Sequence, residues 1–298
     1  MPPVPDAAEP VLPPPGPRPA GEARSLRDAG QLLRDARRLL SRDRAVRASL
    51  ARWSALGLVG AVGGAILGDT LGAFGRPGAA IAVSLLAGVG WWLVVTAVLA
   101  AGSPLLLEYP SGRPFPGLGV PNGITAQRAY LCLPVILFAL LPDRELGRIL
   151  FLAVGSPIAF LDVVDGFIAR RVGPVTVLGR ALDPIMDTLF FPLAGVGCWL
   201  LGFVPFWFLL AILGRYGLPG LGFLVLYPWG GRHPPVVATA LGKANTLITS
   251  FGLLTCAVLT LLGTEAAAAA VVIGIPMAAT GLGHLIILGR RVGATGRA

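Results

Sequence analysis

A succession of apolar runs constrains this chain more than any other feature. They cover 53–73, 79–101, 128–141, 148–169, 181–201, 204–227, 241–263 and 265–288. About twenty residues rising 1.5 Å each cross the roughly 30 Å of hydrocarbon in a bilayer. There is no water in that layer to satisfy backbone N–H and C=O groups, so each run is expected to be a helix. The fold class that follows is an all-α polytopic membrane protein with eight spans. The third run is short, and it reaches full length only if its helix begins further back, in PNGITAQRAYL, partly in the interface. Composition agrees: 55% of residues are hydrophobic and 13% charged, about half the charged share of a soluble domain, which excludes an ordinary soluble globular protein.

Charge sets the orientation. With the N-terminus in the cytoplasm, the inner segments hold twenty Lys and Arg, counting Arg128 at the edge of the third run, and the outer loops hold three: Arg76, Arg144 and Arg148. Positive residues stay inside, so both termini are expected in the cytoplasm. The net charge of +9 on an apolar chain points to anionic lipid headgroups and not to nucleic acid. Some fifty polar residues precede the first run, which is not the layout of a secretory signal. Residues 1–24 are proline-rich and read as a disordered tail, while 25–52 read as a basic amphipathic helix on the inner leaflet. Two spans over 53–102 and a larger unit over 103–298 complete the expected organisation.

Ionisable residues inside spans are expensive, so they mark function. Four of the fifteen acids fall in LDVVDGFIARRVGPVTVLGRALDPIMD, where one run closes and the next opens: Asp162, Asp165, Asp183 and Asp187. Asp162 and Asp165 share a helix face, and Asp183 and Asp187 are one turn apart on the next helix. Converging carboxylates repel unless divalent cations keep them ionised, and an all-oxygen set favours Mg²⁺, Mn²⁺ or Ca²⁺. Paired metals of this kind serve in-line displacement at phosphorus. Gly166 lets a bulky group approach the backbone, Ala169 keeps that face low and Arg170 offers a donor fork to phosphate. Gly179 suits close helix packing.

The spacing Asp162-x2-Asp165-Gly166-x2-Ala169-Arg170-x8-Gly179-x3-Asp183-x3-Asp187 resembles the signature of the CDP-alcohol phosphotransferase family at every position. PNGITAQR, from Pro121 to Arg128, is similar to the opening of that family's first core span, and LGKANT, from Leu241 to Thr246, to its fifth. The resemblance covers about 121–290 and implies a six-helix core behind two additional N-terminal spans. It also implies transfer of a phosphatidyl group from CDP-diacylglycerol to an alcohol, with release of CMP, in phospholipid biosynthesis. Carried over, Asp162, Asp165, Asp183 and Asp187 hold one or two Mg²⁺ or Mn²⁺ ions, and Asp187 is also the general base. Gly166, Ala169, Arg170 and Gly179 shape the CDP site, with Asn122 and Thr125 contributing. The implied setting is the inner membrane, with the site on the cytoplasmic side and room for a homodimer.

Arg215 and Lys243 are the acceptor candidates, suited to a phosphorylated alcohol such as glycerol 3-phosphate, inositol phosphate or phosphatidylglycerol. Against that, Arg215 can pair with a carboxylate or helix end, and Lys243 can snorkel to the interface. An ion-coupled transporter is the rival from another class, but it would place its acids near the bilayer midplane. The remaining polar residues read as structural. His284 is expected in the core or interface, Asp69 at a solvated boundary, and the tryptophans mainly at span ends. Cys132, Cys198 and Cys256 fall one per span and read as small buried residues.

Overall fold

The computed structural model describes residues 26–75, 81–172, 175–218, 240–264 and 266–295, with the side chains of 162–172 outside the described part. Nine α-helices are present among these residues: α1 (Leu26–Arg42), α2 (Arg44–Thr70), α3 (Ile81–Ala101), α4 (Gly119–Phe138), α5 (Arg144–Val172), α6 (Val177–Leu200), α7 (Phe206–Ile212), α8 (Ala240–Leu261) and α9 (Ala267–Thr295). A π-helical turn, Leu213–Gly217, continues α7, and a 3-10 turn, Ser103–Leu105, follows α3. The only β pairing among the described residues is two isolated bridges. The all-α fold expected from the apolar runs is thus the one observed.

Each of the eight runs meets a helix. Five of them, α2, α3, α6, α8 and α9, are long and apolar enough to cross a membrane. Polar residues break the hydropathy of α4 and α5, and α7 with its π-turn covers only Phe206–Gly217. The third run does gain its length upstream, because α4 starts at Gly119. Pro121 costs nothing there, since the first turn of a helix has no intrahelical acceptor for its N–H.

Four expectations need correction. The amphipathic helix ends at Arg42, about ten residues short of 52, because the Asp43 carboxylate caps a new helix, accepting from Ala45 N at 2.9 Å and Val46 N at 3.1 Å. Arg128, counted among the inner charges at the edge of the third run, instead sits midway along α4 with 1% of its surface exposed, beneath the Phe190 ring. Asp69 is not solvated but wholly buried. Trp91 and Trp92 lie mid-helix as interhelical ties, donating to Ala129 O at 2.9 Å and Ser54 O at 2.7 Å. Trp229 falls outside the described residues.

The two N-terminal spans and the helix behind them form one packed unit. Gly57, Gly60, Gly64 and Gly68 make a stripe along α2, and they face Tyr130, Leu131, Pro134 and Leu137 of α4. A methyl at Gly57 or Gly64 would overlap the ring it faces, so the missing side chains set the interhelical distance. Further along, Gly123 of α4 receives the Trp53 indole. Polar ties reinforce the seam: Tyr130 shares hydrogen bonds with Thr96 and Ser54, Gln127 Nε2 donates to Trp53 O, and Leu118 N donates to Ser49 Oγ. On the other side α4 packs against α5 and α6, while α8 packs against α9.

Gly57→Leu is expected to lower the thermal stability of the detergent-solubilised protein, overpacking costing about 1–3 kcal/mol. Gly63→Leu, one helix face away with nothing within 4 Å, is the control and should leave the melting temperature in place.

Candidate active site

Polar side chains gather at one end of the helices, the end where α4, α6 and α8 begin and where α5 and α7 finish. Their placement starts with a threonine. Thr176 caps α6 by accepting from Gly179 N at 3.0 Å, and the same hydroxyl oxygen accepts from Asn122 Nδ2 at 2.8 Å. Asn122 gives its other amide hydrogen to Leu118 O at 2.7 Å. A side chain at Gly179 would collide with Asn122 Oδ1, so the glycine is required by α4 and α6 approaching at this point. Asn122 and Thr125 are both buried, and Thr125 Oγ1 bonds Pro121 O at 3.2 Å.

A strap from the N-terminal unit secures the same turn. Tyr109 N donates to Val175 O at 2.7 Å and Val177 N donates to Leu107 O at 2.8 Å. Arg180 then lies 3.9 Å above the Tyr109 ring. The first turn of α6 is therefore held from two sides, and Asp183 and Asp187 follow on the next two turns. Asp183 is exposed and Asp187 half-buried. Between them Pro184 has no N–H to give the Arg180 carbonyl, which frees that oxygen close to the carboxylates.

Asp162, Asp165, Gly166, Ala169 and Arg170 lie in the last turns of α5. Their side chains are outside the described residues. The half of the acidic set that is described, two carboxylates one turn apart on a fixed helix, has the all-oxygen chemistry that suits a hard divalent cation. Cys198, the soft ligand on the same helix, is buried further along it.

Arg215 is delivered by the π-turn after α7, and its charge and that of Asp187 reach each other. Its guanidinium lies 4.8 Å from the Tyr216 ring centroid, Tyr216 stacks on Phe191 with 4.4 Å between centroids, and the Tyr216 hydroxyl donates to Thr246 Oγ1 at 3.3 Å. His284 of α9 is buried within range of the Arg215 charge. Lys243 stands apart: it is exposed at the start of α8, on the face that carries exposed Leu247. Asp162 and Asp165 lie in the last third of α5 and Asp183 in the second turn of α6, whereas Asp187 lies midway along α6.

Beside the polar end runs an apolar cleft between α5, α6 and α8. Gly155, Ala159, Phe190, Ala194, Leu247 and Phe251 are among its walls. Phe190 and Phe191, in its wall, stand one turn beyond Asp187 along α6, so the cleft begins about one turn from that carboxylate.

Sequence reading missed Thr176, the strap and Asn245. Thr176 had a local signal, a threonine three residues before a glycine at a helix start. The strap had none, because pairing between 107–109 and 175–177 is set by the tertiary fold.

A family profile described as CDP-alcohol phosphatidyltransferase matches residues 118–280. The chain is 29% identical over 140 residues to a Bacillus subtilis protein named CDP-diacylglycerol–glycerol-3-phosphate 3-phosphatidyltransferase, covering 43% of this chain and 70% of the relative. It is 33% identical over 129 residues to a putative cardiolipin synthase of Mycobacterium bovis, covering 43% of this chain and 59% of that protein. A Streptomyces coelicolor cardiolipin synthase (CMP-forming) is 32% identical over 147 residues, 46% of this chain and 65% of its own length. No solved structure matches. The matched profile takes in α4, the signature and most of the helices that carry the polar end, and the chain belongs to the CDP-alcohol phosphatidyltransferase family.

Proposed function

We propose that this protein transfers the phosphatidyl group of CDP-diacylglycerol to a hydroxyl of a glycerol-containing acceptor and releases CMP, on the cytoplasmic side of the inner membrane. One observation carries the reading: Asp183, Asp187 and Arg215 share one end of the fold with the signature of α5, and an apolar cleft opens off that end. A nucleotide-linked lipid needs both halves, a polar place for the diphosphate and an apolar one for the acyl chains. The relatives' names point to glycerol 3-phosphate or, for the cardiolipin synthases, phosphatidylglycerol as acceptor.

The roles divide as follows. Asp162, Asp165, Asp183 and Asp187 would hold one or two Mg²⁺ or Mn²⁺ ions, which when bound neutralise the diphosphate and the charge that develops as CMP leaves. Asp187 accepts the proton of the attacking hydroxyl, and the nearby Arg215 holds the acceptor's phosphate. The oxygen then bonds to the lipid-side phosphorus while the bond to the CMP oxygen breaks. Gly166, Ala169, Arg170 and Gly179 leave room for the cytidine diphosphate. Asn122 and Thr125 form its floor, and the bond from Asn122 to Thr176 also fixes α6. The acyl chains lie in the cleft between α5, α6 and α8. Lys243 contributes at long range as a cation near the acceptor's entry.

Asp162→Asn and Asp187→Asn should each reduce CMP release from CDP-diacylglycerol by on the order of 100-fold or more, with membrane insertion intact. Turnover near that of the unaltered protein in both variants would overturn the mechanism. Ala194→Trp tests the cleft. It should depress turnover of long-chain CDP-diacylglycerol at least about ten-fold more than that of a short-chain analogue, on the order of one lost apolar chain contact. Equal effects on both donors would remove the cleft from the donor site.

A further inference from the structure

Two buried polar atoms near Arg215 have hydrogen-bonding capacity that nothing described uses. Asn245 of α8 is wholly buried. Its Nδ2 donates to Met277 O at 2.6 Å and to Thr280 Oγ1 at 3.0 Å. A backbone carbonyl only accepts, so the amide must turn its NH₂ toward Met277, and this orientation follows from the bonding. Oδ1 therefore points the other way, and among the described residues nothing donates to it. Arg215 Nε is likewise buried, with no acceptor among the described residues.

These two side chains meet across one glycine. A methyl on Gly281 would lie 3.3 Å from Asn245 Nδ2, 3.4 Å from Arg215 Cδ and 3.5 Å from Arg215 Cβ. The unused acceptor is one bond pair removed from the first of these atoms, and the unused donor is bonded to the second. Leaving both unmade costs about 1–3 kcal/mol for each group, which a small polar partner reaching both would recover. A π-turn, a form that recurs at functional sites, presents Arg215 to this gap, and Asp187 lies within range of the same guanidinium.

We infer that Arg215 Nε and Asn245 Oδ1 together read the non-reacting secondary hydroxyl of the acceptor's glycerol unit. The inference rests on the acceptor reading proposed above. The hydroxyl accepts from Nε–H and donates to Oδ1. A phosphate or carbonyl oxygen satisfies only the arginine, and an ammonium satisfies only the amide, whereas a hydroxyl satisfies both. Glycerol 3-phosphate and the headgroup of phosphatidylglycerol share this chemistry: a secondary hydroxyl on the carbon beside the primary hydroxyl that attacks. Asn245 and Arg215 thus set which alcohol is accepted, and Gly281 keeps the gap open.

The experiment compares acceptors that differ by that one hydroxyl. CMP release by the full-length protein, with CDP-diacylglycerol and Mg²⁺ or Mn²⁺, is followed with glycerol 3-phosphate against 3-hydroxypropyl phosphate. A second arm uses phosphatidylglycerol against phosphatidyl-1,3-propanediol, and the arm that turns over identifies the source of the glycerol unit. In that arm the unaltered protein is expected to favour the glycerol acceptor on the order of 10- to 100-fold in kcat/KM. Asn245→Ala and Gly281→Ala should each bring the ratio to within about two-fold of unity. Gly281→Ala deletes no hydrogen bond, so it carries the test if the loss of Asn245's ties to α9 prevents folding. A ratio near unity in the unaltered protein, or one that neither variant moves while CMP is still released, overturns the inference and leaves an ordered water as the partner. Absence of CMP release with all four acceptors overturns the acceptor reading, and this inference with it.

Discussion

The hydroxyl of Thr176 holds together the parts on which the site depends. It accepts one hydrogen bond along its own chain, from Gly179, and one across helices, from Asn122. The first starts α6 and the second fixes that start against α4. Thr176 and Asn122 are buried, where a missing partner is costly, so neither residue can relax without leaving the other unpaired. The position of Asp183 and Asp187 along α6 is counted from this point. Gly179 belongs to the same constraint, because a side chain there would occupy the place of Asn122 Oδ1. Its place in the signature thus has a packing cause beside any contact with nucleotide.

That constraint reaches into the N-terminal unit. α4 carries Asn122, and α4 is gripped by α2 through the glycine stripe and by the Trp91 indole from α3, while the Trp92 indole ties α3 to α2. The strap 107–109 leaves the same unit and pairs with 175–177, immediately ahead of α6. The two extra spans therefore brace both helices that meet at Thr176. Their polar ties are made to backbone carbonyls within the helix bundle, where they compete with few alternatives, and the small residues on α2 let those ties close at ordinary lengths.

How far the fold and site are legible in the sequence follows from the range of the forces involved. The helices are legible because hydrocarbon forbids unsatisfied backbone, a rule that acts on every twenty residues separately. The acidic set is legible because its cost is local: an acid in an apolar run stands out without knowledge of the fold. Arg128 shows where that logic stops. It has the same residue type as an inner-leaflet anchor, and only the packing of α4 against α6 makes it a buried cation under Phe190. Trp91 and Trp92 mislead for the same reason, since a tryptophan at a span end and one donating between helices look alike in sequence. Asp69 differs in kind: it is buried one turn beyond Ala65, which faces Gly88 of α3, and such a close approach is not something a sequence pattern reports.

Arg215 has two open readings, and its surroundings bear on both. A cation held only to neutralise a carboxylate would spend its donors on that partner, yet Nε is buried with no acceptor among the described residues while Asp187 stays within electrostatic range. A cation held only as an anchor would reach the interface, yet Arg215 is drawn inward over Tyr216, whose ring is itself fixed by Phe191 and Thr246. Both restraints cost side-chain freedom, of which arginine has about 2 kcal/mol to lose. Preorganising a donor in this way gains nothing for the fold and much for a ligand, since the ligand then meets a group already aimed at it. Asn245 is likewise restrained, its amide turned by Met277 so that its carbonyl is left without a donor among the described residues. Lys243, by contrast, is exposed and unrestrained, and its influence on an acceptor is limited to charge acting through solvent or headgroups, which salt screens. Selectivity among alcohols therefore belongs to the restrained pair across Gly281, and attraction of an anion to the exposed lysine.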